Sequence, residues 1–500
     1  MNSASSTNSH RGHFATRLGI ILATAGSSVG LGNIWRFPVE TGQNGGAAFI
    51  LVYLACVLLF GIPMMTAEFI LGRRTHTDIA SAYKLLASKN PSPLPLKGED
   101  GHIRHWTLKH ILLSPLRGSG ERVFPLAGYA GILCVTLIFS YYSVVAGWVL
   151  HYALQALSGH LSSVTDTAAA FTAFSTSTWT PLACTIAIIL LTHVIIQRGV
   201  QRGIERFSKL LMPLLLILLL LLAAGALTMP GAAAGVRFLL QPDFTRLTPA
   251  VVLSALGQAF FSLSIAIGCL STYASYFRAD VPLVRTAASV VGIDTAVAIL
   301  SGFIIFPAVF SVSDVAPDAG PGLVFVTLPA IFNNLFSGLP VLGWLFSVMF
   351  YLLLVLAALT STLSMHEEVT AFFVDHRHLS RGRAALYVTL IVIALGILCC
   401  LSFGPLADLT FFSYQLSFFN CFNDVTALYI MPLCGIVLSI FVGWRLPLRL
   451  LVEELTNHGS LPDPKFKLSF FNFQFSLIRA ILFLIRWVAP TAILLIFALA

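Results

Sequence analysis

The stretch from Gly26 to Pro38, G-S-S-V-G-L-G-N-I-W-R-F-P, lies inside an apolar run that begins near Leu18. It should therefore sit at membrane depth, yet Gly26, Gly30 and Gly32 make it a poor helix, each interior glycine costing about 1 kcal/mol against alanine. Asn33 and Arg36 follow, and both are expensive to hold in lipid. Unwound backbone is tolerated at that depth only where it is buried in protein or lines a wet cavity. Gly26-x-x-x-Gly30 also fits a close helix-packing seam. Packing alone does not call for Asn33 and Arg36, whereas a binding site does.

The rest of the chain supports membrane depth. Hydrophobic residues make up 57% of it and charged residues 10%, far from the usage of a soluble domain. Apolar runs repeatedly reach the roughly 20 residues that cross a bilayer, so an all-α polytopic membrane protein is expected. Eleven spans can be drawn, at about 17–42, 46–72, 124–157, 179–197, 207–228, 248–276, 284–312, 339–373, 384–403, 411–443 and 479–499. A helical hairpin near 320–336 is expected before span 8. The polar N-terminus, 1–16, carries no cleavage-type site and reads as a retained segment. Residues 73–123 read as a basic surface loop, with room for a short amphipathic helix.

Lysine and arginine orient the spans. With the N-terminus in the cytoplasm, 25 of the 29 fall in inside segments, nine of them between Arg73 and Arg122. The outside loops hold Arg237 and Arg246, and Arg36 and Arg486 fall within spans. The positive-inside rule then places the N-terminus inside and, with an odd span count, the C-terminus outside. The net charge of +8 expresses this bias and implies no nucleic-acid partner. All eight cysteines fall within spans, which argues against a disulfide framework and for small buried hydrophobes.

Other polar residues interrupt the spans. Glu68 in span 2 should face the interior and find a partner. Tyr142 is near the middle of span 3, where its hydroxyl needs one too. Gly203 and Pro213 weaken span 5 by lost propensity and a lost backbone bond. Span 6 carries G-Q-A-F-F-S-L-S-I-A-I-G-C (257–269), with hydroxyls at Ser262 and Ser264 and helix-loosening Gly257 and Gly268. Asp294 stands alone in span 7. Thr360 and Ser361 give span 8 adjacent hydroxyls, either hard-oxygen ligands for a cation or groups bonded back to their own helix. Spans 1 and 6 are both broken and stand five spans apart, which points to an inverted-repeat transporter with halves at 17–228 and 248–443 and an added span at 479–500.

At this point the residues resemble a family. R-L-G-I-I-L-A-T-A-G-S-S-V-G-L-G-N-I-W-R-F-P (17–38), N-G-G-A-A-F (44–49), R-G-I-E-R-F-S-K-L-L-M-P (202–213), G-Q-A-F-F-S-L-S (257–264), T-Y-A-S-Y (272–276) and L-T-S-T (359–362) resemble the neurotransmitter:sodium symporters, in their bacterial eleven-span branch with the LeuT-type fold. That family is itself a standard example of broken helices around a midplane site. The resemblance implies a substrate carboxylate at Leu31, Gly32 and Tyr142, and an amine at carbonyls around Ser28, Phe261 and Ser262. It implies a side-chain pocket of Ser27, Ile138, Phe261, Ser264, Ile267, Ser361 and Met365. One sodium would be held by Ser28, Asn33, Ser262 and Asp294, and a second by Gly26, Val29, Ala357, Thr360 and Ser361.

Departures from the pattern refine the expectation. Asp294 stands where asparagine is usual, so its carboxylate supplies charge and no chloride requirement is expected. Gly30 replaces the aspartate of monoamine carriers, which points to a substrate with its own carboxylate. Ala266 replaces a usual glycine and is expected to narrow the pocket. A neutral, apolar amino acid follows. The outer gate would close Arg36, Tyr142 and Phe261 over the site; Asn423 stands at the place of its acidic partner with Asp424 next, so either a one-residue shift lets Asp424 pair or this gate lacks the ion pair. The other would pair Arg11 with Asp375 near Tyr276, with Phe14 in place of a usual tryptophan.

The expected function is sodium-coupled amino-acid symport at a bacterial cell membrane, with the lipid bilayer as surroundings and no obligate protein partner. A proton-coupled variant would use Glu68, Asp294, Glu367 or Glu368, the last two reading more simply as paired or solvated at a helix end. A non-transporting sensor lacks a visible signalling domain, and no catalytic motif marks an enzyme.

Overall fold

The computed structural model describes residues 12–88, 116–312, 322–336, 338–409, 417–457 and 473–499. Among these, nine helices are long and apolar enough to cross a membrane, and the bent pair Arg17–Ser28 and Gly32–Gln43, turned by 56°, makes a tenth crossing. Pro249–Ser262 and Cys269–Ala274, separated by unwound backbone, complete eleven. Each lies within a few residues of its expected place. A helix satisfies its own backbone polar groups, which is why it can stand in lipid. Leu58, Leu126, Leu210 and Trp179 each expose more than half their surface on the outside of the bundle, a pattern that water would not tolerate but acyl chains do.

Close helix contacts rest on missing side chains. A Cβ on Gly72 of span 2 would stand 1.9 Å from the Ser271 carbonyl oxygen, and one on Gly147 of span 3 would stand 2.7 Å from the Thr185 nitrogen. The first seam sets the broken span 6 against span 2, and the second sets span 3 against span 4.

Span 1 starts at Thr16, whose hydroxyl accepts from the Gly19 N–H, and its first helix ends at Val29, which is extended at ψ 112°. Span 6 starts under a Thr248 cap and unwinds after Ser262. Ser264, Ala266 and Gly268 then have φ of 52°, 72° and 97°. For the two non-glycine residues this left-handed backbone costs about 1–2 kcal/mol each. Glu68 offsets the cost. Its carboxylate accepts the Ala266 N–H at 2.5 Å and the Ser271 N–H at 3.1 Å. The partner that the sequence asked for is therefore bare backbone.

Several expectations are corrected. Residues 323–335 form one continuous helix rather than a hairpin, a π-turn running straight into Leu328–Leu335. The 73–123 segment does begin with a short amphipathic helix, Ile79–Ser88, but that helix is packed rather than on the surface, burying Ile79, Ala82, Tyr83 and Leu86, since its apolar face fits under span 3. Residues 89–115 lie outside the described residues. Ala266 does not narrow the pocket, because its side chain turns toward span 10, where a Cβ on Gly435 would meet it at 3.5 Å. Glu367 and Glu368 are fully buried rather than solvated, because span 8 continues to Arg377 and keeps them inside the bundle. Glu367 takes both arms of Arg381, at 3.0 and 2.5 Å, and the Tyr276 hydroxyl at 2.6 Å.

A buried ion pair closes the basic face, where the arginine-rich helix ends lie. Arg73, at the end of span 2, donates to Glu454 Oε2 at 2.7 Å and to the Val281 and Asn457 oxygens. Both charged side chains are 2–3% exposed, and the pair fixes the short helix Leu448–Leu455. Breaking a buried pair from one side costs up to about 3–5 kcal/mol when it leaves a lone charge, and less here, where Arg74 Nη1 still reaches Glu454 Oε1 at 3.3 Å. Arg73→Met should therefore lower the thermal midpoint in detergent clearly, and Arg73→Met with Glu454→Leu should recover most of it. Equal loss in single and double variants would contradict the pairing.

Candidate functional site

The two breaks face each other across a cavity at the middle of the bundle, with room for about 50 Å³ of water-molecule centres, enough for several waters. Span 1 lines it with Ser27, Ser28, Gly30 and Gly32, and span 3 with Ile138 and Tyr142. Span 6 contributes Phe261, Ser262, Ser264 and Ile267, and span 8 contributes Ser361 and Met365. Every expected substrate residue but Leu31 is on this wall. Leu31 stands at its edge, donating its N–H to the Tyr142 hydroxyl at 3.2 Å. Gly30 is where the walls pinch: a Cβ there would stand 2.4 Å from Ser361 Oγ and 3.0 Å from the Tyr142 hydroxyl.

Cys269, Ser364 and Met431 also line the cavity and were not expected. Ser364 was legible in principle, three residues from Ser361 and so on the same helix face. Cys269 read as a plain small hydrophobe. Met431 of span 10 gave no signal, being one apolar residue among many.

Beside the cavity, three spans pool their polar atoms. Asn33 Nδ2 donates to Asp294 Oδ1 at 2.8 Å and to Ser262 Oγ at 2.9 Å, and Ser262 donates to Asp294 Oδ2 at 2.7 Å. Asn33 Oδ1 accepts the Gly30 N–H at 3.0 Å, which ties the cluster to the break in span 1. Asn33 and Asp294 are fully buried. Ser28 leans the other way, its hydroxyl donating to the Leu263 carbonyl at 3.3 Å. Both Asp294 oxygens accept from neutral donors. A buried carboxylate beside the Ser262 hydroxyl oxygen offers hard ligands of the kind a cation takes, while Asn33 here turns its amide N–H to Asp294 and its amide oxygen to the Gly30 N–H.

A second oxygen cluster joins spans 1 and 8. Thr360 Oγ1 lies 3.2 Å from the Val29 carbonyl and 2.9 Å from that of Ala357. Ser361 Oγ reaches the same Val29 carbonyl at 3.3 Å. Gly26 lets the helices close, since a Cβ there would meet Thr360 Cβ at 3.2 Å. Thr360 thus does bond back to its own helix, but it and Ser361 also cross to the one residue of span 1 that is extended. All five expected residues meet here, and all the polar atoms they present are oxygens.

The outer gate residues find local partners. Arg36 lies 4.3 Å over the Phe261 ring and pairs with Glu40 at 3.5 Å. Asp424 instead accepts from the neighbouring Asn423 Nδ2 at 3.0 Å. Glu40 is one helical turn from Arg36 on the same face, so a local partner takes the place of one across the vestibule. At the basic face, Arg11 lies outside the described residues. Asp375 accepts the Asp78 N–H at 2.8 Å, and Tyr276 is engaged by Glu367. Phe14 fills its position without a tryptophan: it is 1% exposed, with Tyr273, Tyr276 and Phe277 rings at 6.0–6.4 Å.

Glu205 was missed among the basic residues that open span 5. It accepts the Ala15 N–H at 2.7 Å, the Thr16 hydroxyl at 3.0 Å and Lys209 Nζ at 2.6 Å. The start of span 1 is thereby strapped to span 5, at the π-turn Val200–Glu205 that contains Gly203. Pro213 sits within the continuous helix Arg206–Ala226.

Comparison with known proteins places this arrangement. The family model described as "Sodium:neurotransmitter symporter family" matches residues 11–89 and 164–492. An uncharacterized sodium-dependent transporter, YhdH, of Bacillus subtilis (strain 168) is 35% identical over 97% of this chain and 96% of its own. A sodium- and chloride-dependent taurine transporter of Bos taurus is 26% identical over 74% of this chain and 62% of its own. Among solved structures, MhsT in complex with L-phenylalanine is 37% identical, covers 98% of this chain and 99% of its own, and superposes with a TM-score of 0.80. The fold is that of LeuT-type transporters. The chain belongs to the sodium:neurotransmitter symporter family and is a sodium-dependent membrane transporter.

Proposed function

We propose that the protein imports a neutral, apolar amino acid together with sodium. The observation that carries this is the joining of one cavity, between two helix breaks, to the Asn33–Ser262–Asp294 cluster. The Leu31 and Gly32 backbone and the Tyr142 hydroxyl would receive the carboxylate, where the freed N–H groups of the second half of span 1 present positive dipole. Carbonyls around Ser28, Phe261 and Ser262 would receive the amine. Ile138, Phe261, Ile267 and Met365 are apolar walls for a side chain, and MhsT was solved with L-phenylalanine. Ser27, Ser264 and Ser361 add only small hydroxyls to that wall.

Sodium, as co-substrate, has two candidate oxygen sets. One is Ser28, Asn33, Ser262 and Asp294, and the other is Gly26, Val29, Ala357, Thr360 and Ser361. In the first the substrate carboxylate would complete the shell, so substrate and sodium each raise the affinity of the other by linkage. Asp294 supplies the negative charge there, so chloride is not required. Arg36 over Phe261 forms one lid and the Phe14 cluster the other, and rocking of the bundle between them alternates access. The protein would sit in a bacterial cell membrane with its N-terminus in the cytoplasm and its C-terminus outside, as the lysine and arginine bias requires.

The direct test is thermal stability of purified protein against a panel of amino acids, in sodium and then in potassium. An apolar amino acid at a hundredfold excess over its Kd should add about 2.7 kcal/mol in sodium, several degrees of midpoint, and nothing in potassium. Stabilisation independent of the cation would favour proton coupling through Glu68, Asp294 or Glu368 and sink the sodium reading of both oxygen sets. Replacing chloride by gluconate should leave binding unchanged, while Asp294→Asn should weaken sodium-dependent binding about tenfold or more, the worth of one good ionic contact. A wild-type protein that loses binding without chloride would refute the role given to Asp294. Thr360→Ala should raise the sodium needed for half-maximal stabilisation by about tenfold, and an unchanged sodium dependence would remove the second set.

A further inference from the structure

Met431 comes from span 10, where only gate residues were expected, yet it lines the central cavity. Two local features put it there. Span 10 makes a π-turn over Val425–Ile430 and resumes as the helix Met431–Ile440 with Pro432 in its first turn. A π-turn holds one residue more than an α-turn and so rotates everything after it by about 100°. One turn beyond Met431, on the same face, is Gly435. A Cβ there would stand 3.5 Å from Ala266 Cβ and 3.6 Å from the Phe260 ring. Span 10 thus touches the unwound part of span 6 at ordinary contact distance, and Met431, four residues earlier, lines the cavity together with Ile267.

The cavity has two unlike ends. Gly30 meets Tyr142 and Ser361 at one, and polar backbone and the Asp294 cluster lie near it. One turn farther along span 8 the wall becomes Met365, and on span 6 it becomes Ile267. We infer that Met431 closes this second end and sets the length of side chain the pocket admits, making it a specificity-determining residue for an apolar amino acid. This rests on the amino-acid reading of the site. A thioether on an unbranched chain adjusts its shape at little cost. Met431 and Met365 together would then let one pocket take side chains from leucine-sized to aromatic, whereas two rigid walls would select one.

The test measures Kd in sodium for alanine, valine, leucine, phenylalanine and tryptophan, in wild type and in Met431→Ala, Met431→Phe and Met431→Leu. Met431→Ala should shift the ranking toward tryptophan, and Met431→Phe toward alanine and valine, each by about tenfold in the ratio of large to small ligand, since a methylene or two in an apolar pocket is worth 10- to 200-fold. Met431→Leu should keep the wild-type order. The same ranking in all four proteins would overturn the role of Met431 while leaving the amino-acid reading intact. No sodium-dependent binding of any of the five to wild type would instead bring down that reading, and this inference with it.

Discussion

Unpaired backbone inside a membrane must find partners in the protein, and here side chains of the spans packed around two broken helices supply most of them. The cost of leaving such a group bare is several kcal/mol. Asn33 meets it for Gly30, Tyr142 for Leu31, and Glu68 for Ala266 and Ser271. Thr360 and Ser361 serve the Val29 carbonyl. These side chains come from several distant spans, so the breaks define how spans 2, 3 and 8 must stand around them. The cavity is what remains between the breaks once that requirement is satisfied.

Charge is handled by the same economy. The buried acids do not share a single solution. Glu367 has a guanidinium, Glu205 an ammonium and a backbone N–H, Glu68 backbone alone. Only Asp294, among those beside the cavity, rests on an amide and a hydroxyl. Its setting differs from the paired acids in kind: they lock helices together, while its carboxyl accepts from neutral donors beside the cavity.

Legibility in the sequence followed how far each residue departs from its surroundings. Gly30, Asn33, Asp294 and Glu68 stand out in apolar runs, and all proved to sit at the breaks or to brace them. Spans were legible because lipid imposes length and apolarity together. Contacts decided by rotation about a helix axis were not. Met431 reaches the cavity because of a π-turn that no composition announces, and Ala266 faces Gly435 rather than the ligand space because its φ is positive. The Arg36–Glu40 pair was one turn away in the sequence, but a partner across the vestibule was expected from the resemblance. Glu205 was hidden by the basic residues around it.

The strap made by Glu205 has a mechanical side. A Cβ on Gly19 would stand 2.2 Å from the Glu205 carboxylate and would push that side chain aside, so the first turn of span 1 lies directly on span 5. A rigid rod fixed near one end transmits any swing of its middle into that fixing. Movement of the Gly26–Val29 segment would therefore load the π-turn Val200–Glu205, the turn of span 5 with the widest and least regular bonding. The joint between the two helices is thus placed at the π-turned, least regularly bonded turn of the receiving helix.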